Sequence, residues 1–177
     1  MGHKFLHIMY WNCRGFPWHA GVGTDELFGA ADIIMLGETW ERETCTLPAI
    51  PGYIMKSAAQ KAKGLRGRGG VACIYKEDLQ NHITISKIDA YHRYIWIQIT
   101  WGGHLYFIAC CYIPHRDSVF YGECGIDSLD PFGDIGMDVC HFSTRGDVIL
   151  MGDMNARIGD MQAKPIAWGM NWIEMSK

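Results

Sequence analysis

The segment that most restricts what this chain can fold into is GDVILMGDMNARIGD, from Gly146 to Asp160. Val148, Ile149, Leu150 and Met151 form a short apolar run bounded by Gly146-Asp147 and Gly152, which is how a buried strand reads when it ends at a turn. Asp153 and Asn155 follow at alternate spacing, so an extended backbone would point both side chains the same way. A carboxylate and an amide at the mouth of a strand can orient a water and steady a developing oxyanion. A plain Asp/Asn turn is the alternative reading of the same residues.

Other runs have the same form. Lys4 to Trp11 sets Phe5, His7, Met9 and Trp11 against Leu6, Ile8 and Tyr10, apolar on both faces, which predicts a central strand ending at Asn12. DIIML, from Asp32 to Leu36, predicts a second buried strand ending in Gly37-Glu38-Thr39-Trp40. A short strand over Tyr53 to Ser57 and another over Val71 to Tyr75 follow. Then HITISKI, RYIWIQIT and HLYFIACCYI read as a meander, with Trp101-Gly102-Gly103 as a tight hairpin turn and Tyr112 and Pro114 closing the last run. Thr24 can cap a short helix through Phe28, and Asp134 to Phe142 can form a helix with Ile135, Val139 and Phe142 on one side. Ser118 to Gly133 reads as loop, and the tail after Asp160 carries no strand period.

The chain has 177 residues, 49% of them hydrophobic and 20% charged, enough for one core and too few for two ordinary domains. With a net charge of −3, a nucleic-acid partner would have to be met by a local patch. Lys56, Lys61, Lys63, Arg66 and Arg68 precede Glu77 with no acid between, so this stretch is either a solvated loop or one that touches phosphates. Seven scattered cysteines without CxxC spacing read as reduced, mostly buried thiols rather than a disulfide framework or zinc site. No run reaches the roughly 18 apolar residues of a membrane span and no signal-peptide pattern opens the sequence. The expectation is an intracellular chain, in nucleus or cytoplasm, that does not engage membranes.

Asn12 in WNCRG, Glu38 in GETW, the strand GRGGVACIY, Tyr112 in ACCYIP, and Asp153 and Asn155 in GDMNARIG occur in an order that resembles the endonuclease/exonuclease/phosphatase family. That is the fold of deoxyribonuclease I and of abasic-site endonucleases. WNCRGF and GDMNARIGD most resemble the endonuclease domains of non-LTR retrotransposon polyproteins. The resemblance spans residues 5 to 160 and implies an α/β fold of α+β type, a DNase I-like two-sheet β-sandwich flanked by helices. Residues 161–177 would be a divergent tail. It implies magnesium or manganese held by Glu38 with Asn12 beside it, and Asp153 orienting or deprotonating water. Asn155 and Tyr112 would donate to the phosphate, with Arg66 and Arg68 as substrate contacts. The activity implied is metal-assisted phosphodiester hydrolysis on DNA.

Family members continue to a C-terminal Asp-His motif, whereas the last histidine here is His141, upstream of Asp153. The expectation is therefore a C-terminally truncated domain, lacking the second half of the sandwich, weak or inactive in cutting, and associating through an uncovered sheet face. Two other functions remain on the same residues: a phosphatase acting on an inositol lipid or another small phosphoester, and an inactive relic that binds nucleic acid.

Overall fold

The computed structural model of the protein describes residues 5–16, 28–41, 47–59, 68–115, 117–123, 130–155 and 170–176. Among these residues the main elements run in the order β1 (Phe5–Asn12), β2 (Ile33–Gly37), β3 (Tyr53–Ala58), β4 (Val71–Lys76), β5 (Ile83–Ile88), β6 (Tyr94–Trp101), β7 (His104–Tyr112), α1 (Val119–Glu123), α2 (Pro131–Ser143), β8 (Asp147–Asp153) and β9 (Met170–Ser176), with helical residues 28–30 before β2 and a 3-10 turn at Glu77–Leu79 after β4. The strands form a five-stranded sheet of order β3-β4-β2-β1-β9 and a four-stranded sheet of order β5-β6-β7-β8.

Strands apolar on both faces are what a stack of several layers requires. Leu6, Ile8, Ile33 and Met35 of the first sheet meet Ile95, Ile97, Ile108 and Cys110 of the second in one buried cluster. Each such aliphatic side chain, fully buried, contributes about 1.5–3 kcal/mol. The Cys110 thiol donates across the sandwich to the Leu36 carbonyl at 3.3 Å. The outer face of the first sheet, with Met9, Ile34, Leu36 and Ile74, is covered by Phe16, Phe28 and Leu47. The outer face of the second is covered by α2, whose Phe142 stacks on Phe107 with ring centroids 4.5 Å apart. Helix α2 begins at Pro131, earlier than its apolar spacing predicts, because Asp130 caps it by accepting from the Phe132 N–H at 3.1 Å.

Both halves of the sandwich are thus present, and the expected loss of one half does not hold. Side chains pack on the outer face of each sheet among the described residues, while Leu150 on the edge strand β8 stays 42% exposed. Two further expectations are corrected. Met170–Ser176, without a clear period in sequence, is a strand antiparallel to β1, with Ile8 opposite Ile173 and His7 opposite Glu174. The stretch read as loop from Ser118 to Gly133 holds α1 and the first three residues of α2. The Thr24 cap, Cys45, Cys124, most of the basic loop and the boundary at residue 160 lie outside the described residues. Among the described residues no helix is long and apolar enough to cross a membrane.

Two parallel pairings decide where the site falls. In the first sheet β1 runs parallel to β2, so Asn12 lies opposite Gly37. In the second, β7 runs parallel to β8, so Tyr112 lies opposite Asp153. Parallel neighbours end together, and both pairs end at one rim of the sandwich. Gly152 makes the approach to that rim possible. Its φ is +149°, and a methyl group there would lie 2.0 Å from the Cys111 carbonyl oxygen of the neighbouring strand. Gly152→Ala is expected to destabilise the fold by about 1–3 kcal/mol, the cost of a forced backbone conformation. Urea unfolding with an unchanged m-value would measure it.

Candidate active site

Asn12 holds the rim together. Its side-chain Nδ2 donates to Glu38 Oε1 at 2.8 Å and lies 3.3 Å from Asp153 Oδ2, so one amide from β1 joins a carboxylate of each sheet. Its Oδ1 is turned the other way and accepts the Arg14 N–H at 3.3 Å. Asn12 therefore presents a donor to the carboxylates, which suits it to orienting Glu38. All three side chains are partly exposed.

Glu38 sits in the left-handed region, with φ +54°, where residues other than glycine are uncommon. Its backbone is held there from both sides. The Glu38 carbonyl accepts the Gly15 N–H at 2.7 Å, while Thr39 and Trp40 donate to the carbonyls of Gly70 and Gly69 at 3.2 and 2.9 Å. A strained residue kept by this many bonds marks a place where position is imposed. The other carboxylate oxygen, Oε2, accepts from Trp40 Nε1 at 3.3 Å.

Asp153 ends β8 and Asn155 lies beyond it at φ +44°, so the extended alternation expected for this pair stops short of Asn155. A local turn takes its place. Asp153 Oδ1 accepts the Asn155 N–H at 3.0 Å, and Asn155 Nδ2 donates to the Ile113 carbonyl at 2.8 Å. Asn155 still comes to the rim, with one of its two side-chain N–H groups committed to the backbone. Tyr112 is half-buried beside these groups. Burial first, and then the carboxylates of Glu38 and Asp153, push its phenol up to about 12. It keeps its proton at neutral pH.

Cys13, next to Asn12, is buried with its thiol on the Gly37 carbonyl at 3.2 Å. Burial pushes it up to about 12, so it is an inert packing group. Arg68 is exposed and immediately precedes Gly69, the residue that holds the Trp40 N–H. Arg66 lies outside the described residues. The structure thus brings together Asn12, Glu38, Tyr112, Asp153 and Asn155. Sequence reasoning missed Trp40, although its place two residues after Glu38 in GETW was the available signal.

Glu38 and Asp153 offer oxygen donors of the kind a hard divalent cation takes, and no group of three or more His, Cys, Asp or Glu side chains forms among the described residues. Few protein ligands and several retained waters are the habit of magnesium. The donor set fits that ion.

No family model and no curated protein matches the chain. Solved structures do. An AP endonuclease from Leishmania major superposes with a TM-score of 0.64 at 14% identity, over 89% of this chain and 57% of that one. The catalytic domain of APE2 from Xenopus laevis gives 0.62 at 19%, over 85% and 59%. The 3′ phosphatase NExo from Neisseria, bound to a product DNA hairpin, gives 0.56 at 18%, over 88% and 60%. The fold is therefore the DNase I-like α/β sandwich, and the chain spans less than two thirds of the length of these structures.

Proposed function

We propose that this protein is a divalent-metal-dependent phosphodiesterase that nicks DNA, of the retroelement endonuclease type. The observation that carries this reading is the convergence of Glu38 and Asp153, from different sheets, on the single amide of Asn12. The motif wording of WNCRGF and GDMNARIGD favours DNA over a small phosphoester.

Glu38 would hold the cation, with Asn12 and Trp40 fixing the angle of its carboxylate. Magnesium bound there would supply charge stabilisation for the phosphoryl transfer. Asp153, steadied by the Asn155 N–H, accepts the proton of the attacking water. Tyr112 and the remaining Asn155 N–H donate to phosphate oxygens as charge builds on them. Bond formation between water oxygen and phosphorus then releases the sugar oxygen.

The test is conversion of supercoiled plasmid to the open circular form by purified protein. Product is expected with magnesium or manganese and none with EDTA. A protein that makes no nicks but binds DNA would fit the nucleic-acid-binding relic instead. Arg68→Glu is expected to weaken DNA binding across all sequences. It should lower the slope of log affinity against log salt by about 1, as the loss of one phosphate contact does. An unchanged slope would make Arg68 a solvated surface residue.

A further inference from the structure

Trp40 is exposed by 39%, an uncommon state for a large aromatic ring, and the exposure occurs beside the Glu38 carboxylate. Its backbone adopts φ +52°, the second left-handed residue of the Glu38-Thr39-Trp40 turn, and its N–H is tied to Gly69. The indole is fixed at two more points. Nε1 is committed to Glu38 Oε2. On another side the ring lies directly against Gly15, where a methyl group would stand 2.5 Å from Cε3 and 3.1 Å from Cζ3. Gly15 itself has φ +88°, so this close approach is built on a residue that alone combines that conformation with so little bulk. Exposed Arg14 adjoins it in the chain.

A ring held at a set angle, with more than a third of its surface open and its polar atom already used, has aromatic area left to offer. We propose that Trp40 is a stacking platform for the nucleobase next to the scissile phosphate, and that it makes the site select base-bearing DNA over a base-free phosphodiester. The inference rests on the DNA phosphodiesterase reading of the same site and adds to it the feature of the substrate that is recognised. Stacking is indifferent to base identity because every base has a π-face, so the selectivity is for the presence of a base.

The experiment compares a DNA oligonucleotide with a backbone of equal length and charge made of base-free tetrahydrofuran residues. Dissociation constants are measured without divalent ion, and KM and kcat with magnesium. The wild type is expected to bind the base-bearing strand about 5- to 150-fold more tightly, the equivalent of about 1–3 kcal/mol per stacked base. Trp40→Ala should bring that ratio down toward unity. Trp40→Phe keeps a ring but lacks the N–H to Glu38, so it should retain most of the ratio while kcat falls. A wild-type ratio near unity, or one that Trp40→Ala leaves unchanged, overturns the proposal. Absence of cleavage with the ratio and its dependence on Trp40 intact would sink the hydrolase reading and leave the platform standing. Cleavage with no dependence on Trp40 would do the reverse.

Discussion

Asp153→Asn is expected to lower the rate of magnesium-dependent plasmid nicking by about 10²–10⁴-fold, the range that removal of a positioned general base covers. The substitution is close to isosteric. An amide oxygen at position 153 can still accept the Asn155 N–H, so the turn that ends β8 is preserved. What it removes is the negative charge and the proton acceptor, together with the long contact that Oδ2 accepts from Asn12 Nδ2. Circular dichroism and the unfolding midpoint should therefore stay near those of the wild type while activity collapses. Undiminished nicking by this variant would exclude Asp153 from the chemistry and, with it, the convergence on Asn12 as the centre of the site.

The second large effect lies away from the rim. Asp89→Ala should destabilise the protein by up to about 3–5 kcal/mol, the cost of taking from a buried charge its two-point partner and leaving it Asp134 alone. Arg93 is fully buried. It meets Asp89 through two parallel bonds, Nε to Oδ2 and Nη2 to Oδ1, both 2.8 Å, and reaches Asp134 at the start of α2 at 2.9 Å. The planar fork explains why lysine would be a poor replacement. Burial disfavours the ionised Asp89, but bonds from the Arg93 side chain and from the backbone of Arg93 and Tyr91 outweigh it. They hold the carboxyl below its usual range.

The folded-state value is thus the depressed one. The stabilisation is complete above the ordinary carboxylate range near pH 4 and is lost as pH falls through the lower, native value. Wild type should therefore lose stability on acidification more steeply than the variant, which has already lost the pair. Denaturant curves across that acidic range would measure it, and parallel slopes for the two proteins would refute the assignment. The effect should also reach the site, because the Arg93 carbonyl accepts the Tyr112 N–H at 2.7 Å.

Much of this architecture could be read from residues in order. Apolar runs bounded by turn residues located β1 through β8, since burial on both faces leaves an imprint within a few positions. Asn12, Glu38 and Asp153 were identifiable because Asn12 follows such a run directly and the two acids follow one after a single glycine. Strand β9 left no comparable mark. Its pairing is dictated by the open edge of β1, far off in the chain, and among its described side chains exposed Glu174 lies between Ile173 and buried Met175. Three residues are too short a pattern to register. Asn155 was misplaced for a related reason: spacing of two implies a common side only while the backbone stays extended, and its left-handed φ breaks that premise. Trp40 depends on three separate segments meeting, those of Gly15, Glu38 and Gly69, which no local pattern encodes.

The single amide that joins Glu38 to Asp153 is neutral, so nothing in that trio offsets two like charges held at one rim. On the proposed reading, an incoming phosphodiester would meet repulsion there until a positive ion is seated, and the ion in turn would gain from the anion beside it. Thermodynamic reciprocity makes the two gains equal, so nucleic acid should tighten ion binding by the same factor by which the ion tightens nucleic acid. The rim would then behave as an AND gate, reaching its competent charge balance only when both ligands have arrived.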